Sequence, residues 1–204
     1  MKRIASLMIL AAVSLFVFSA RSAMSADQIM DRVAAALTKP QSVSVTFSFS
    51  GNGGTGNGTM TVCHNKFTYN SGDLAVWYNG RSQWTLQRSA KEVSLTEPTE
   101  AELLESNPFR VISGYKAHYT AKLLTAPAGF YKIQLTARSK AQAVRSATVT
   151  VNAKTFIPTR ISANMGSGST TIVIKSFTKG KVLPKSYFEF DARMNKDIEL
   201  IDLR

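Results

Sequence analysis

The sequence predicts a mainly β protein with a few helices, an α+β chain whose one large sheet is strongly curved. Three observations indicate this class. Short apolar runs recur from Gly58 to Pro108 with turn residues between them, and similar runs resume after Gly114. Asn79-Gly80 is a strong hairpin signal between two of these runs. Roughly ten strands stand against two or three short helices, which favours an antiparallel sheet with helices on one side.

The chain starts with features of a secretory signal peptide. Lys2-Arg3 is a basic start, Ile4 to Phe18 is apolar, and Ala23-Met24-Ser25 offers a cleavage site. We therefore expect residues 1–26 to be removed after export and residues 27–204 to form one domain. No cysteine stands directly after the apolar stretch to be lipidated, so the product is expected to be soluble.

The cysteine count and the net charge restrict the possible disulfides and binding partners. Cys63 is the single cysteine, so no internal disulfide forms; a packing role is favoured, with a reactive or intermolecular thiol as the alternative. The first 26 residues hold three of the 25 basic residues and none of the 13 acidic ones, which leaves 22 against 13, a net charge of +9. Such a surface suits anionic partners or is simply solvated. Export and the scatter of the basic residues argue against nucleic acid.

The first elements follow from periodicity. Asp27 is expected to cap a helix whose apolar stripe is Ile29, Met30, Val33, Ala34 and Leu37, ended by Pro40. From Ser42 the period changes to two, which predicts a strand with an apolar and a hydroxyl-rich face. The glycine-rich stretch 51–58 is interpreted as a flexible hairpin tip, because a strand follows it where a phosphate-binding loop needs a helix.

A meander and a capped helix follow. The predicted strands are 58–63, 66–70, 74–78, 82–87 and 92–95. Thr99 and Glu102 form a capping box, and Asn107-Pro108 ends that helix. Residues 109–114 are either a short helix or an apolar loop. Later strands are predicted at 116–124, 130–137, 143–151, 158–165 and 170–177.

The residues that carry most enzyme chemistry are few. His64 and His118 are the two histidines, and neither has a partner at metal-ligand spacing; Cys63 and His64 are adjacent and would point to opposite faces of a strand. The sequence holds no nucleophile elbow, zinc-protease motif or P-loop. The acidic residues of the short helix fit a solvated face. These observations predict a binding protein without metal or cofactor, and not an enzyme.

An ordered set of short pieces resembles the outer-membrane lipoprotein carrier family, the LolA-like periplasmic chaperones. The pieces are Val45-Thr-Phe47, Gly58-Thr-Met-Thr-Val62 before Lys66-Phe67, Val76-Trp-Tyr-Asn-Gly80 with Trp84, Lys91-Glu-Val93, Pro98 to Pro108, Leu183-Pro184, Phe188-Glu-Phe190, and Asp197-Ile-Glu-Leu-Ile-Asp202. They follow the leading helix and span nearly the whole expected domain.

The resemblance implies an unclosed half-barrel of about eleven antiparallel strands with a helical lid over an apolar cavity. It implies a monomeric periplasmic carrier that takes acylated lipoproteins from an inner-membrane exporter towards the outer membrane, where an acceptor is a possible partner. A related lipid-binding or sensor module of the same fold is the alternative. A secreted enzyme with an unrecognised site is the weaker third reading.

Candidate cavity residues are apolar side chains of the strands and the lid: Phe47, Phe49, Met60, Val62, Phe67, Tyr69, Val76, Trp84, Leu86, Leu103, Leu104, Phe109 and Ile112. In better-known members of the family, an arginine-proline pair after the strand corresponding to 58–62 helps to hold the lid closed. His64-Asn65 stands there in this chain, so His64 and Lys66 are the candidates for a replacement latch.

Overall fold

The computed structural model describes residues 24–51, 54–107, 109–166 and 168–204. The predicted signal peptide lies almost wholly outside these residues, as does Pro108. The helices are α1 (Ala26–Thr38), α2 (Glu100–Ser106), α3 (Phe109–Ser113) and α4 (Tyr115–His118), with a 3-10 helix at Lys185–Phe188. The strands are β1 (Ser42–Gly51), β2 (Gly54–Cys63), β3 (Lys66–Ser71), β4 (Leu74–Tyr78), β5 (Gln83–Gln87), β6 (Glu92–Thr96), β7 (Tyr119–Leu124), β8 (Phe130–Ala137), β9 (Ser146–Asn152), β10 (Pro158–Asn164), β11 (Ser169–Gly180) and β12 (Glu199–Asp202).

The described strands form one unclosed sheet in the order β12-β6-β5-β4-β3-β2-β1-β11-β10-β9-β8-β7. The predicted antiparallel meander is confirmed, since β2 to β6 pair with their chain neighbours. The described residues form twelve strands, where the resemblance implies about eleven. The last of them, β12, is part of the acidic-apolar tail and pairs parallel to β6.

The chain crosses the sheet between β6 and β7. These strands are consecutive in the chain, yet β7 forms one edge of the sheet and β6 lies next to the other edge. Helices α2, α3 and α4 make this connection. Their buried side chains belong to the same apolar cluster as the inner face of the sheet. The connection therefore lies over the concave face, as the resemblance implies for a lid.

Helix α1 also lies on the concave face. Ile29, Met30, Val33 and Leu37 are buried, which confirms most of the predicted stripe. The prediction of Asp27 as the N-cap is wrong: Ser25 Oγ accepts from the Gln28 N–H, and Gln28 Oε1 accepts from the Ser25 N–H. This capping box satisfies two backbone N–H groups, whereas a cap at Asp27 satisfies at most one.

Two strand starts differ from the prediction. Residues 115–118 form α4, not the start of a strand, because the Tyr115 hydroxyl and the Lys116 ammonium both bind α1. Strand β9 begins at Ser146, three residues later than predicted. Tertiary contacts of this kind override local strand propensity.

The described part of the glycine-rich stretch belongs to strands β1 and β2. Strand β1 continues to Gly51 and β2 begins at Gly54, which leaves two residues outside the described part. Phe47 pairs with Gly58 across the two strands, and Phe49 pairs with Gly56. A Cβ added at Gly58 would lie 2.6 Å from Phe47 Cζ, and one at Gly56 would lie 2.8 Å from Phe49 Cζ. The two glycines therefore make room for aromatic rings on the inner face.

Gly58→Ala is expected to lower the free energy of unfolding by about 1–3 kcal/mol, because the new methyl group displaces the buried Phe47 ring. Urea unfolding measures the loss. The double variant Gly58→Ala/Phe47→Leu provides the control. The ring is absent from it, so its loss of stability should be smaller than the sum of the losses of the two single variants. Strictly additive losses would show that the ring and the methyl group do not meet.

Candidate functional site

Two cavities lie between the concave face and the helices. The inner cavity has a volume of about 230 Å³ and is lined almost entirely by apolar side chains. Seven of the predicted cavity residues line it: Phe47, Phe49, Met60, Tyr69, Val76, Leu104 and Phe109. Their part in binding a ligand remains a prediction, but their common position on one surface follows from the alternation of β1 to β4.

The second cavity, about 340 Å³, is a groove at the other end of the strands. Val62 and Phe109 line it from the predicted set, beside Leu37, Val43 and Val45. His64, Asn65, Asn107 and the Glu100–Arg110 pair make its lining more polar than that of the inner cavity. Phe109 contributes to both linings, so this ring stands between the two spaces.

Sequence reasoning missed the other half of the inner cavity. Strands β9, β10 and β11, with the residues just before β9 and just after β10, supply side chains that the prediction left out: Val144, Ala147, Ile161, Ala163, Met165, Thr170 and Ile172. The alternation of Ile161, Ala163 and Met165 was a usable signal. It did not show that these strands line the same cavity as β1 to β4.

Three predicted residues are buried in the main apolar cluster and line neither cavity. Phe67 and Ile112 are completely buried, and Leu103 is nearly so, all in the main apolar cluster. They support the wall and the lid by packing and leave no surface open to a ligand.

The structure corrects the placement of Trp84 and Leu86. Trp84 pairs with Trp77, and Leu86 pairs with Ala75, on the face opposite Val76. These side chains form a separate cluster with Val93 and Phe190. The Phe190 ring lies 5.6 Å from the Trp77 ring, edge to face. The C-terminal segment thus covers apolar residues on the convex face, which strand periodicity alone assigns equally well to either side.

The two latch candidates lie on different faces. Lys66 pairs with Cys63, and its Nζ lies 6.0 Å from the centre of the Phe188 ring, so it faces the convex-side segment and not the lid. This corrects the prediction for Lys66. His64 lines the groove, in a turn where its φ is 59°. Its role as a latch remains a prediction. Cys63 is buried, free of disulfide, and 3.5 Å from His64 Nδ1.

Polar contacts hold the crossing helices to α1 and to one another. The Tyr115 hydroxyl donates to Asp31 Oδ1 at 2.8 Å, and Lys116 Nζ lies 2.8 Å from the same oxygen. Within the lid, Arg110 donates to both carboxylate oxygens of Glu100, with Nη2–O distances of 2.8 and 2.7 Å. These contacts fasten α4 to α1 and α3 to α2 without using His64.

The Asp31 contacts perturb two pKa values. The hydrogen bonds from Lys116 and then Tyr115 lower the pKa of Asp31, because both stabilise the carboxylate. Burial, followed by the hydrogen bond to Asp31, raises the pKa of Tyr115, so its hydroxyl stays a donor. The described residues contain no group of three potential metal ligands. None of the described helices is long and apolar enough to cross a membrane.

The fold and the cavities define a ligand-binding half-barrel with a helical lid. The sequence profile of the family described as outer membrane lipoprotein carrier protein LolA matches residues 15–169. The chain belongs to this family, which is one of binding and carrier proteins and not of enzymes. A search of curated proteins finds no match.

Several solved structures are similar to this chain over most of its length. An uncharacterised conserved protein from Thermus thermophilus is similar at a TM-score of 0.57 and 12% identity, over 87% of this chain and 98% of that one. A LolA superfamily protein from Nitrosomonas europaea gives 0.44 and 14%, over 82% and 99%. The lipoprotein LppX from Mycobacterium tuberculosis gives 0.39 and 16%, over 74% and 94%. At such identities, the Thermus likeness supports the fold and not a ligand.

Asp31→Asn is expected to lower the free energy of unfolding by about 1 kcal/mol at neutral pH, since the carboxylate is half exposed and its pair with Lys116 is screened. The pKa of Asp31 is lowered in the folded state, so its contribution is present above the unfolded value of about 3.9 and is lost as the pH falls through the lower folded value. Urea unfolding at a series of pH values measures both effects.

Tyr115→Phe is the control for the same site, because it removes the hydroxyl that contacts Asp31 and the Asp27 carbonyl, and it keeps the ion pair. Its loss should shrink as Asp31 is protonated but should not disappear, since the hydroxyl also lies 3.1 Å from the Asp27 carbonyl oxygen. The Asp31→Asn difference should disappear below the folded pKa of Asp31. A constant Asp31→Asn difference over the whole pH range would contradict the assignment.

Proposed function

We propose that this protein is a periplasmic carrier that binds the acyl chains of lipoproteins beneath its helical lid and carries them from the inner to the outer membrane. The observation that carries the proposal is the apolar inner cavity between the sheet and the crossing helices. A soluble carrier needs such a space, because each exposed methylene of an acyl chain costs ~0.8 kcal/mol in water.

The cavities favour a lid that opens. Pockets for drug-sized ligands measure about 300–1,000 Å³. The inner cavity of about 230 Å³ lies below this range and the groove of about 340 Å³ lies near its lower limit, so neither by itself gives much space for a long acyl chain. The crossing helices are short, at seven, five and four residues. Isolated helices of this length are unstable in water, so tertiary contacts keep them in place.

The energies support reversible opening. Ten buried methylenes contribute on the order of 8 kcal/mol. Each exposed ion pair of the lid, such as Lys116–Asp31, contributes about 1 kcal/mol or less. The ion pairs therefore add little to closure, and acyl methylenes that replace the buried side chains of the lid would offset the cost of opening. The same lid contacts favour release once an acceptor takes the chain.

The proposed carrier function requires partner proteins at both membranes. After signal-peptide cleavage the protein would receive acylated lipoproteins from an inner-membrane exporter and deliver them to an outer-membrane acceptor. The alternative is a lipid-binding or sensor module of the same fold, which the net charge of +9 on residues 27–204 favours if the natural ligand is an anionic lipid.

Native mass spectrometry of the protein purified from its own periplasm tests the proposal. Co-purified lipoprotein is the expected result. Free phospholipid or glycolipid would support the alternative module, and an empty cavity together with hydrolytic activity would overturn both.

Ile172→Trp is expected to weaken binding of a fluorescently labelled palmitoyl peptide at least ~10-fold, because the larger side chain fills the inner cavity. Thr171→Trp is the matched control. Thr171 is the next residue of β11, and its hydroxyl contacts Ser162 Oγ at 3.0 Å on the opposite face. Fluorescence titration measures affinity, and thermal unfolding confirms that both variants fold. Equal weakening by the two variants would place the ligand outside the cavity.

Phe109→Ala is expected to join the inner cavity to the groove and to shift binding towards longer acyl chains, since this ring lines both spaces. Competition among lauroyl, palmitoyl and stearoyl peptides measures the shift. Val111→Ala is the control, because Val111 lines the inner cavity and not the groove. An unchanged chain-length preference in a folded Phe109→Ala protein would rule out this ring as the divider.

A further inference from the structure

Charge is divided unevenly along the chain. All 13 acidic residues lie at or before Glu105 or at or after Glu189, whereas 13 basic residues lie between them. The intervening segment contains β7 to β11, nearly half of the sheet. The carboxylates of Glu100, Asp31 and Glu189 pair with Arg110, Lys116 and Lys185. Among the described ion pairs, none involves the other ten basic residues of the segment.

Three of these cations lie at one end of the sheet, close to two cations of α1 and its C-cap. We call this group of exposed side chains the basic end: Arg32, Lys39, Lys154, Lys179 and Lys181. Arg32, Lys39 and Lys179 line one surface pocket together with Thr155 and Phe156. Arg32 Cζ lies 4.9 Å from the centre of the Phe156 ring. The Lys181 carbonyl accepts a hydrogen bond from Ser42 Oγ at the start of β1.

An apolar hairpin projects beside the basic end. Residues 123–130, which we call the hairpin tip, have the sequence Leu-Leu-Thr-Ala-Pro-Ala-Gly-Phe and carry no charge. Leu123 is 41% exposed and Phe130 is 38% exposed. Lys122 and Lys132 stand directly behind them in β7 and β8. The Ala153 N–H donates to the Gly129 carbonyl at 2.9 Å, which joins the hairpin tip to the turn that carries Lys154.

We propose that the basic end and the hairpin tip together form a docking surface for an anionic phospholipid membrane. Cations at the level of the headgroups and apolar side chains at the acyl boundary are the two features of interfacial binding. Lysine and arginine stems can lie along the apolar boundary while their charged ends reach the headgroups. A nucleic acid would use the cations but would gain little from burying Leu123 and the Pro127 turn.

The same end holds the mouth of the groove. Pro40 lines both the groove and the pocket of the basic end. Docking would therefore present the groove to the bilayer surface. The membrane contact does not depend on what the cavity binds, so it can be tested independently of the proposed carrier function.

Flotation with vesicles tests the docking surface, using the protein purified from its own periplasm. Binding is expected to vesicles of phosphatidylglycerol and phosphatidylethanolamine, and not to vesicles of phosphatidylcholine alone. Binding should fall steeply between about 0.05 M and about 0.5 M salt, because the headgroup attraction is screened. Lys154→Gln/Lys179→Gln/Lys181→Gln should weaken binding about 100-fold, since each cation near the surface contributes about fivefold.

The matched control is Arg138→Gln/Lys140→Gln/Arg145→Gln, which removes the same charge at the other end of β8 and β9. Strand β8 has eight residues, so this end lies about 25 Å away, beyond the range of screened attraction. It should weaken binding no more than about threefold. Leu123→Ser/Phe130→Ser should weaken binding about 10-fold, and circular dichroism verifies that all variants fold.

Three outcomes would overturn the proposal. Equal loss in the two triple variants would indicate diffuse attraction without a defined surface. Tighter binding to a single-stranded oligonucleotide than to the anionic vesicles would indicate a nucleic-acid surface. Loss of vesicle binding in Ile172→Trp would show that the cavity, and not the basic end, captures the lipid; unchanged binding in that variant is expected, whether or not it retains the palmitoyl peptide.

Discussion

The structure depends on one topological constraint: two consecutive strands lie at opposite sides of one unclosed sheet. The chain between β6 and β7 has to cross the concave face, and it does so as three short helices. Because the crossing is broken into short helices, it covers the sheet without filling the space beneath it. Phe109, Leu104 and Val111 pack downward from these helices and form the roof of the inner cavity. The connection between β6 and β7 thus forms the lid and also leaves the cavity beneath it.

The two faces of the sheet serve different purposes. On the concave face, glycines opposite Phe47 and Phe49 let the aromatic rings lie over the strands. On the convex face, the C-terminal segment covers Trp77, Trp84 and Leu86 with Phe190. Asn79 also donates to Glu189 at 2.8 Å, which fixes this segment against the β4–β5 turn. Apolar area on the convex face is therefore hidden by the chain itself, which leaves the concave face for a ligand.

Acidic and basic residues are distributed unevenly over the molecule. Carboxylates occur in α1, along the first strands, in the lid and in the C-terminal tail. Asp31 and Glu100 fasten helices through their ion pairs. Strands β7 to β11 carry cations alone. The proposed carrier function requires an approach to membranes at each end of the route, and an uneven charge distribution orients such an approach. Sheet pairing brings Lys154, Lys179 and α1 together from distant parts of the chain.

The sequence by itself determined the fold class, the meander, the α2 capping box and the inward face of β1, because these follow from local periodicity and turn chemistry. It determined which residues of β1 to β4 share the cavity side. Only the tertiary structure decided that Trp84, Leu86 and Lys66 face away, since a period of two does not say which face is covered. It alone brought Ile161, Ala163 and Ile172 into the same cavity lining as Phe47, and it alone fastened α4 to Asp31. Those positions depend on strand order and on pairing between residues far apart in the chain, which no local pattern encodes.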